Sequence, residues 1–230
     1  RAIELGLITL DKTRTLAYIL CLFAVLFGIL AINQANLSNY LEIFLIAKAA
    51  LFLGYYYTAP PLRLVAKKGL GELSIFLTFG PLLTLGIAFT IFNGDLLSAD
   101  HNHFINCLLI GVPVGLLTTN ILLINQFPDS KSDAKTGKNH LVVVFGKKKS
   151  RWIYLLILLL SIIFSIYISL HIENYYILFA TFFIAVFGFY ISLNLFKDYR
   201  KRKLITSNWN TIFLQAIFCI SLICSFLIAK

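Results

Sequence analysis

The sequence predicts an all-α, polytopic transmembrane helical bundle, and three observations carry that prediction. Hydrophobic residues fill 59% of the 230 positions against 13% charged, and the mean hydropathy is +0.86, well outside the range of ordinary soluble domains. Seven apolar runs are each long enough to cross a hydrocarbon core of about 30 Å, which needs about 20 helical residues. Lys and Arg fall in alternate gaps between these runs, the pattern of a multi-pass protein with one basic face. A net charge of +10 would suit nucleic acid on a soluble basic surface. Here the bases are confined to short gaps in an oily chain, so nucleic acid is not an expected partner.

The first span runs approximately from Leu16 to Ile32 and follows Arg1, Lys12 and Arg14. The second, Tyr40 to Tyr57, carries Lys48 in its middle, where an uncompensated charge costs roughly 2.5–3.5 kcal/mol. Lys48 is therefore expected to meet a polar cavity or a carboxylate, or to snorkel. Pro60 and Pro61 end that helix, and a stiff basic turn with Arg63, Lys67 and Lys68 leads through Gly69 to a third span, Gly71 to Phe92. The fourth span is Phe104 to Phe127, followed by Lys131, Lys135, Lys138, Lys147, Lys148, Lys149 and Arg151. Spans over Trp152 to Leu170, Tyr175 to Phe196 and Trp209 to Ala229 complete the set, with Lys197, Arg200, Lys201, Arg202 and Lys203 before the last. The opposite gaps, Asn33 to Asn39, Asn93 to His103 and His171 to Asn174, hold no Lys or Arg. The N-terminus is thus expected inside and the C-terminus outside.

Cys21, Cys107, Cys219 and Cys224 lie in apolar runs without metal-ligand spacing and read as small buried residues. His101 and His103 read as loop histidines. No internal repeat marks the chain as a transporter built from inverted halves.

Chemistry concentrates at the end of the fourth span. Gly111, Pro113 and Gly115 interrupt its first half, and Thr118, Thr119, Asn120, Asn125 and Gln126 occupy the second. Steps of three and four from Thr118 through Leu122, Asn125 and Asp129 to Ser132 or Asp133 predict a polar stripe on one helix face. Asp129 and Asp133 are one turn apart and repel when empty, which a divalent cation relieves. Magnesium takes few protein carboxylates and completes its shell with water and phosphate oxygens, so this pair suits a diphosphate, with Lys131, Lys135 and Lys138 neutralising the remainder. The plainer alternative is that both aspartates solvate a helix end among lysines.

These residues resemble the UbiA superfamily of intramembrane prenyltransferases. The likeness rests on Asn125-x-x-x-Asp129-x-x-x-Asp133-x-x-x-Gly137-Lys138 continuing into Leu141-Val-Val-Val-Phe-Gly146. It rests equally on Tyr57-Thr-Ala-Pro-Pro-Leu-Arg63 and on Gly71-Glu-Leu-Ser-Ile-Phe-Leu-Thr-Phe-Gly80-Pro81. The resemblance implies a nine-helix fold around a cavity, with two aspartate-rich motifs holding Mg²⁺. The second motif corresponds to Asp129 and Asp133. The first is absent, and Arg1 to Ile8 looks like the stretch after it, so residues 1–230 are expected to be one transmembrane prenyltransferase domain without its first two helices, with little activity alone.

By the same resemblance a prenyl diphosphate ionises and alkylates an aromatic ring. Asp129 and Asp133 are the metal ligands, Asn125 supports them, Arg63, Lys67 and Lys138 contact the diphosphate, and Tyr57 lines the cavity. The Pro-Pro-Leu-Arg turn and the Phe-Gly-Pro segment are most similar to the branch that prenylates 1,4-dihydroxy-2-naphthoate towards menaquinone or phylloquinone. A bacterial inner membrane is the expected location, the basic gaps put the active face on the cytoplasmic side, and the many lysines in those gaps could equally bind anionic lipid headgroups. A polytopic transporter lined by Lys48 and the fourth span, or a non-catalytic membrane scaffold, are the competing readings.

Overall fold

The computed structural model describes residues 6–35, 39–91, 101–201 and 203–229. Arg1, the gap at 93–100, Arg202 and Lys230 lie outside these residues, as does the side chain of His101. The described chain is helical throughout apart from turns. Its helices are α1 (Leu10–Ala35), α2 (Tyr40–Thr58), α3 (Leu70–Phe79), α4 (Pro81–Ile91), α5 (His101–Lys135), α6 (Leu141–His171), α7 (Ile177–Asp198) and α8 (Leu204–Ile228), with a 3₁₀ turn at Leu64–Ala66. Seven segments are long and apolar enough to cross a membrane, with α3 and α4 sharing one of them.

Proline and glycine place the breaks. α2 stops at Thr58 just before Pro60, because proline lacks the N–H that a helix interior requires. Arg63 enters the 3₁₀ turn in the left-handed region at φ 41°, and Gly69, at φ 78°, starts α3. Gly80 and Pro81 split the third span into α3 and α4. The split brings backbones close: a Cβ on Gly80 would stand 2.5 Å from the Gly111 carbonyl oxygen, and one on Gly115 would stand 2.5 Å from that of Phe76. In a bilayer, where burial of apolar surface drives little helix association, such glycine crossings supply close van der Waals contact.

The main core lies among α5, α6, α7 and α8 and is built on Leu123, Ile124, Phe127, Tyr154, Leu158, Ile184, Leu195 and Phe218. A smaller one joins α2, α4 and α5 through Ile43, Leu85, Ala88 and Phe89 with Phe104 and Cys107. α1 stays outside both, with no buried residue in Leu10–Leu30.

Several expectations need correction. Two helices run well past the expected spans, α5 to Lys135 and α6 from Leu141, because polar and lysine-rich sequence keeps helix propensity beyond the bilayer. The cysteines are free rather than buried: Cys21 and Cys224 are exposed, and Cys107 and Cys219 half-buried. Lys48 is exposed on α2 and makes no ion pair among the described residues, which leaves snorkelling as its means of reaching water.

Candidate functional site

The turn after α2 and the turn after α5 meet, and the local backbone explains how. α5 ends with Gly137 at φ 72°, where a side chain would be strained. The Gly137 N–H bonds the Ala134 carbonyl at 3.2 Å, and the Lys138 N–H bonds that of Asp133 at 3.0 Å. This is a Schellman closure, and it folds the Gly-Lys dipeptide back over the helix end. Lys138 Nζ therefore donates to Asp133 Oδ1 at 2.8 Å.

His140 approaches the other carboxylate oxygen, with Nε2 at 3.2 Å from Asp133 Oδ2. Its Nδ1 accepts from the Val143 N–H at 3.4 Å as the N-cap of α6, which assigns the proton to Nε2 in the neutral ring. From the other turn, Arg63 Nη2 donates to the Thr136 carbonyl at 3.2 Å. Tyr57 is half-buried within electrostatic reach of both Glu72 and Asp133. Tyr57, Arg63, Asp133 and Lys138 are thus brought together. Lys67 is exposed and has no side-chain partner among the described residues.

Glu72 was missed as a site residue by the motif reading, although its place in the first turn of α3 lies inside a quoted segment. It is 4% exposed. Its Oε1 accepts from Gln126 Nε2 at 3.0 Å and from the Leu141 N–H at 2.9 Å. One oxygen thereby ties α3 to α5 and to an otherwise unpaired amide at the start of α6. Its Oε2 is buried without a hydrogen-bond partner. The available signal was an acidic residue at the mouth of an apolar span, where an ionisable group is expensive and seldom idle. His140 was missed too, since a lone histidine beside an aspartate motif has no distinctive spacing.

Asn125 and Asp129 belong to a neighbouring hollow of about 720 Å³, whose lining also includes Lys147, Arg200, Asn208, Trp209 and Ile212. Asn208 on α8 donates from Nδ2 to Asn125 Oδ1 at 2.8 Å, so Asn125 is already anchored. Asp129 is exposed and lies near the charge of Lys147.

The predicted polar stripe divides. Asn125, Asp129 and Asp133 lie at its basic end, where Asn125 bonds Asn208 and Asp133 bonds Lys138, while the deeper residues bind helix to helix. Thr118 bonds the Val114 carbonyl at 2.8 Å and accepts from Gln215 at 3.1 Å. Asn120 donates to the Tyr154 carbonyl at 3.2 Å. These bonds follow from the need to satisfy every polar group in a low-dielectric interior.

Among the described residues no group of three or more His, Cys, Asp or Glu side chains could hold a metal unaided. Two carboxylates one turn apart do match what magnesium asks of a protein when phosphate oxygens and water complete its shell. The donor chemistry fits a shared metal–diphosphate site and does not fit an all-protein cage.

A helical bundle with seven candidate membrane spans among the described residues, and with carboxylate, lysine and arginine side chains gathered at the turns after α2 and α5, has the form of an integral membrane protein with one charged site. Comparison with known proteins makes the family explicit. Residues 1–225 match the UbiA prenyltransferase family, and the chain belongs to that family. It is 29% identical over 159 residues to "UbiA prenyltransferase domain-containing protein 1" of Dictyostelium discoideum, covering 69% of this chain and 46% of that protein. It is 32% identical over 145 residues to the 2-carboxy-1,4-naphthoquinone phytyltransferase of Synechocystis sp., covering 62% and 44%. Identity to the 1,4-dihydroxy-2-naphthoate octaprenyltransferase of Escherichia coli is 27% over 165 residues, covering 71% and 51%. The chain thus spans about half the length of the curated relatives it matches. No solved structure matches it.

Proposed function

We propose that this protein transfers a polyprenyl group from a prenyl diphosphate to an aromatic acceptor of the 1,4-dihydroxy-2-naphthoate class, as a step in quinone synthesis. The observation that supports this reading most is the convergence of Arg63, Lys138 and Asp133 at two interlocked turns, beside the hollow that holds Asn125 and Asp129. The names of the Synechocystis and Escherichia coli relatives support the acceptor class. The reaction takes place in a bacterial inner membrane, with the active face cytoplasmic.

Asp129 and Asp133 are the residues that would hold Mg²⁺, which when bound shields the diphosphate and stabilises its departure. Asn125, fixed by Asn208, keeps the neighbouring turn of α5 in register. On substrate binding Lys138 exchanges its bond with Asp133 for the diphosphate, and Arg63 and Lys67 add positive charge, so the developing negative charge meets fixed cations in a water-poor site. Departure of diphosphate leaves an allylic cation. Tyr57 and the apolar wall hold the prenyl chain and exclude water until the acceptor ring attacks.

The test is prenyl transfer by native gene product in membranes. Asp129→Asn and Asp133→Asn are each expected to lower the rate by about 100-fold or more, with membrane insertion unchanged. Near-normal turnover in either variant would remove the aspartates from the mechanism.

A further inference from the structure

A second hollow flanks the start of α6 and shares Lys147 and Arg200 with the first. It encloses about 550 Å³, rimmed by Lys131, Lys147, Lys148, Lys149 and Arg200 over a floor that includes Ala134, Val142, Val143 and Phe145. No carboxylate is among its lining residues, and none of the four lysines forms an ion pair among the described residues. Lys147 stands close enough to Lys131 to be repelled by it and to Asp129 to be attracted by it. On α5 this hollow takes Ser130, Lys131 and Ala134, whereas the first takes Asn125, Pro128 and Asp129. At about 100° per residue these sets lie on opposite flanks of the helix.

Two further features bear on what fills it. Gly146 leaves helical geometry at φ 74°, ψ 155°, so the continuous part of α6 restarts at Lys147. Three consecutive lysines then stand at the positive end of a helix, an arrangement that repels itself until an anion arrives. Trp152, 58% exposed, follows shortly after, at the depth where tryptophans mark the membrane interface. A cationic rim above an apolar floor matches a phospholipid, whose phosphate meets the lysines while its upper chains lie against Val143 and Phe145, the latter 37% exposed with Lys68 Nζ 4.8 Å from its ring centroid. A free phosphate would leave that apolar floor wet.

We propose that this hollow binds the phosphate headgroup of an anionic membrane lipid, gripped by Lys131, Lys148 and Lys149. These three lysines are outside the lining of the first hollow, so the proposal stands whether or not the transfer reading survives.

The experiment measures retention of phosphatidylglycerol by the purified chain in neutral detergent, by native mass spectrometry. Phosphatidylcholine and inorganic phosphate serve as comparison ligands. Neutralising the three lysines together (Lys131→Gln, Lys148→Gln, Lys149→Gln) is expected to weaken retention about 100-fold, about fivefold per lysine. The single variant Lys148→Gln, expected to lose about fivefold, carries the test if the triple variant does not fold. The pair Lys12→Gln and Lys48→Gln, on α1 and α2 and outside the lining of the hollow, is expected to change it little.

Unchanged affinity in the folded triple or single variant would overturn the proposal. So would equal loss in the distant pair, or equal retention of phosphatidylcholine. Displacement of the lipid by inorganic phosphate at micromolar concentration would likewise overturn it, by making the hollow a free-anion site.

Discussion

Asp133 illustrates how one side chain is prepared for a ligand by the groups that stand in for it. Its two oxygens are held by Lys138 at 2.8 Å and His140 at 3.2 Å, so the carboxylate is oriented within the turn. Replacing Lys138 with Ala removes a substrate cation and frees Asp133. The expected outcome is a rise in KM for the prenyl diphosphate of about tenfold, for about 1.4 kcal/mol of lost charge-assisted hydrogen bonding, read from steady-state kinetics at saturating acceptor.

Glu72 behaves differently, because its bonds are structural. Glu72→Ala strands the Gln126 amide and the Leu141 N–H in a buried setting, with about 1–3 kcal/mol at stake for each. A lowered melting temperature in detergent is expected, and Glu72→Gln should recover part of it. A melt unchanged by Glu72→Ala would mean that these bonds do not hold α3, α5 and α6 together. These two residues also mark where reading the sequence succeeds and stops. Asp133 sits in a spaced motif and is visible, whereas the role of Glu72 depends on partners 54 and 69 positions away, which no local pattern reports.

At the level of elements, hydropathy locates the helices well because backbone satisfaction in lipid leaves few alternatives to helix. It locates their ends poorly. The charged extension of α5 through Lys135 and the start of α6 at Leu141 lie beyond the bilayer, where hydrophobicity no longer reports on structure. The glycines of the fourth span were legible as interruptions, but their purpose was not. Gly111 and Gly115 face the Gly80 break across a gap with no room for a Cβ. Gly115→Leu is therefore expected to push α3 from α5 and to leave little monodisperse protein on size-exclusion chromatography. Gly28→Ala, where nothing lies within 4 Å, should behave as wild type. Equal yields from both variants would deny the crossing its role.

Across the whole molecule, the seven segments among the described residues and the alternation of bases predict one topology. Single cysteines at Ser132 and Glu173, placed in a background without the four native cysteines, are expected to react with a membrane-impermeant maleimide from opposite faces, Ser132→Cys from the cytoplasm. Labelling of both from one side would overturn that topology. The number of spans and the aspartate motif could be read from sequence because they are local. The meeting of the Arg63 turn with the Thr136 turn, and the hollow between α5 and α8, arise from long-range packing and could be anticipated only through family resemblance.

The central claim is that Asp129 and Asp133 together bind a magnesium–diphosphate complex. Its most direct measurement is calorimetric binding of a non-cleavable prenyl thio-diphosphate to the purified native gene product, with and without magnesium. Binding should require magnesium and weaken at least 100-fold in the Asp129→Asn, Asp133→Asn double variant, for about 2.7 kcal/mol lost. Equal affinity in the folded double variant, or affinity indifferent to magnesium, would contradict the account.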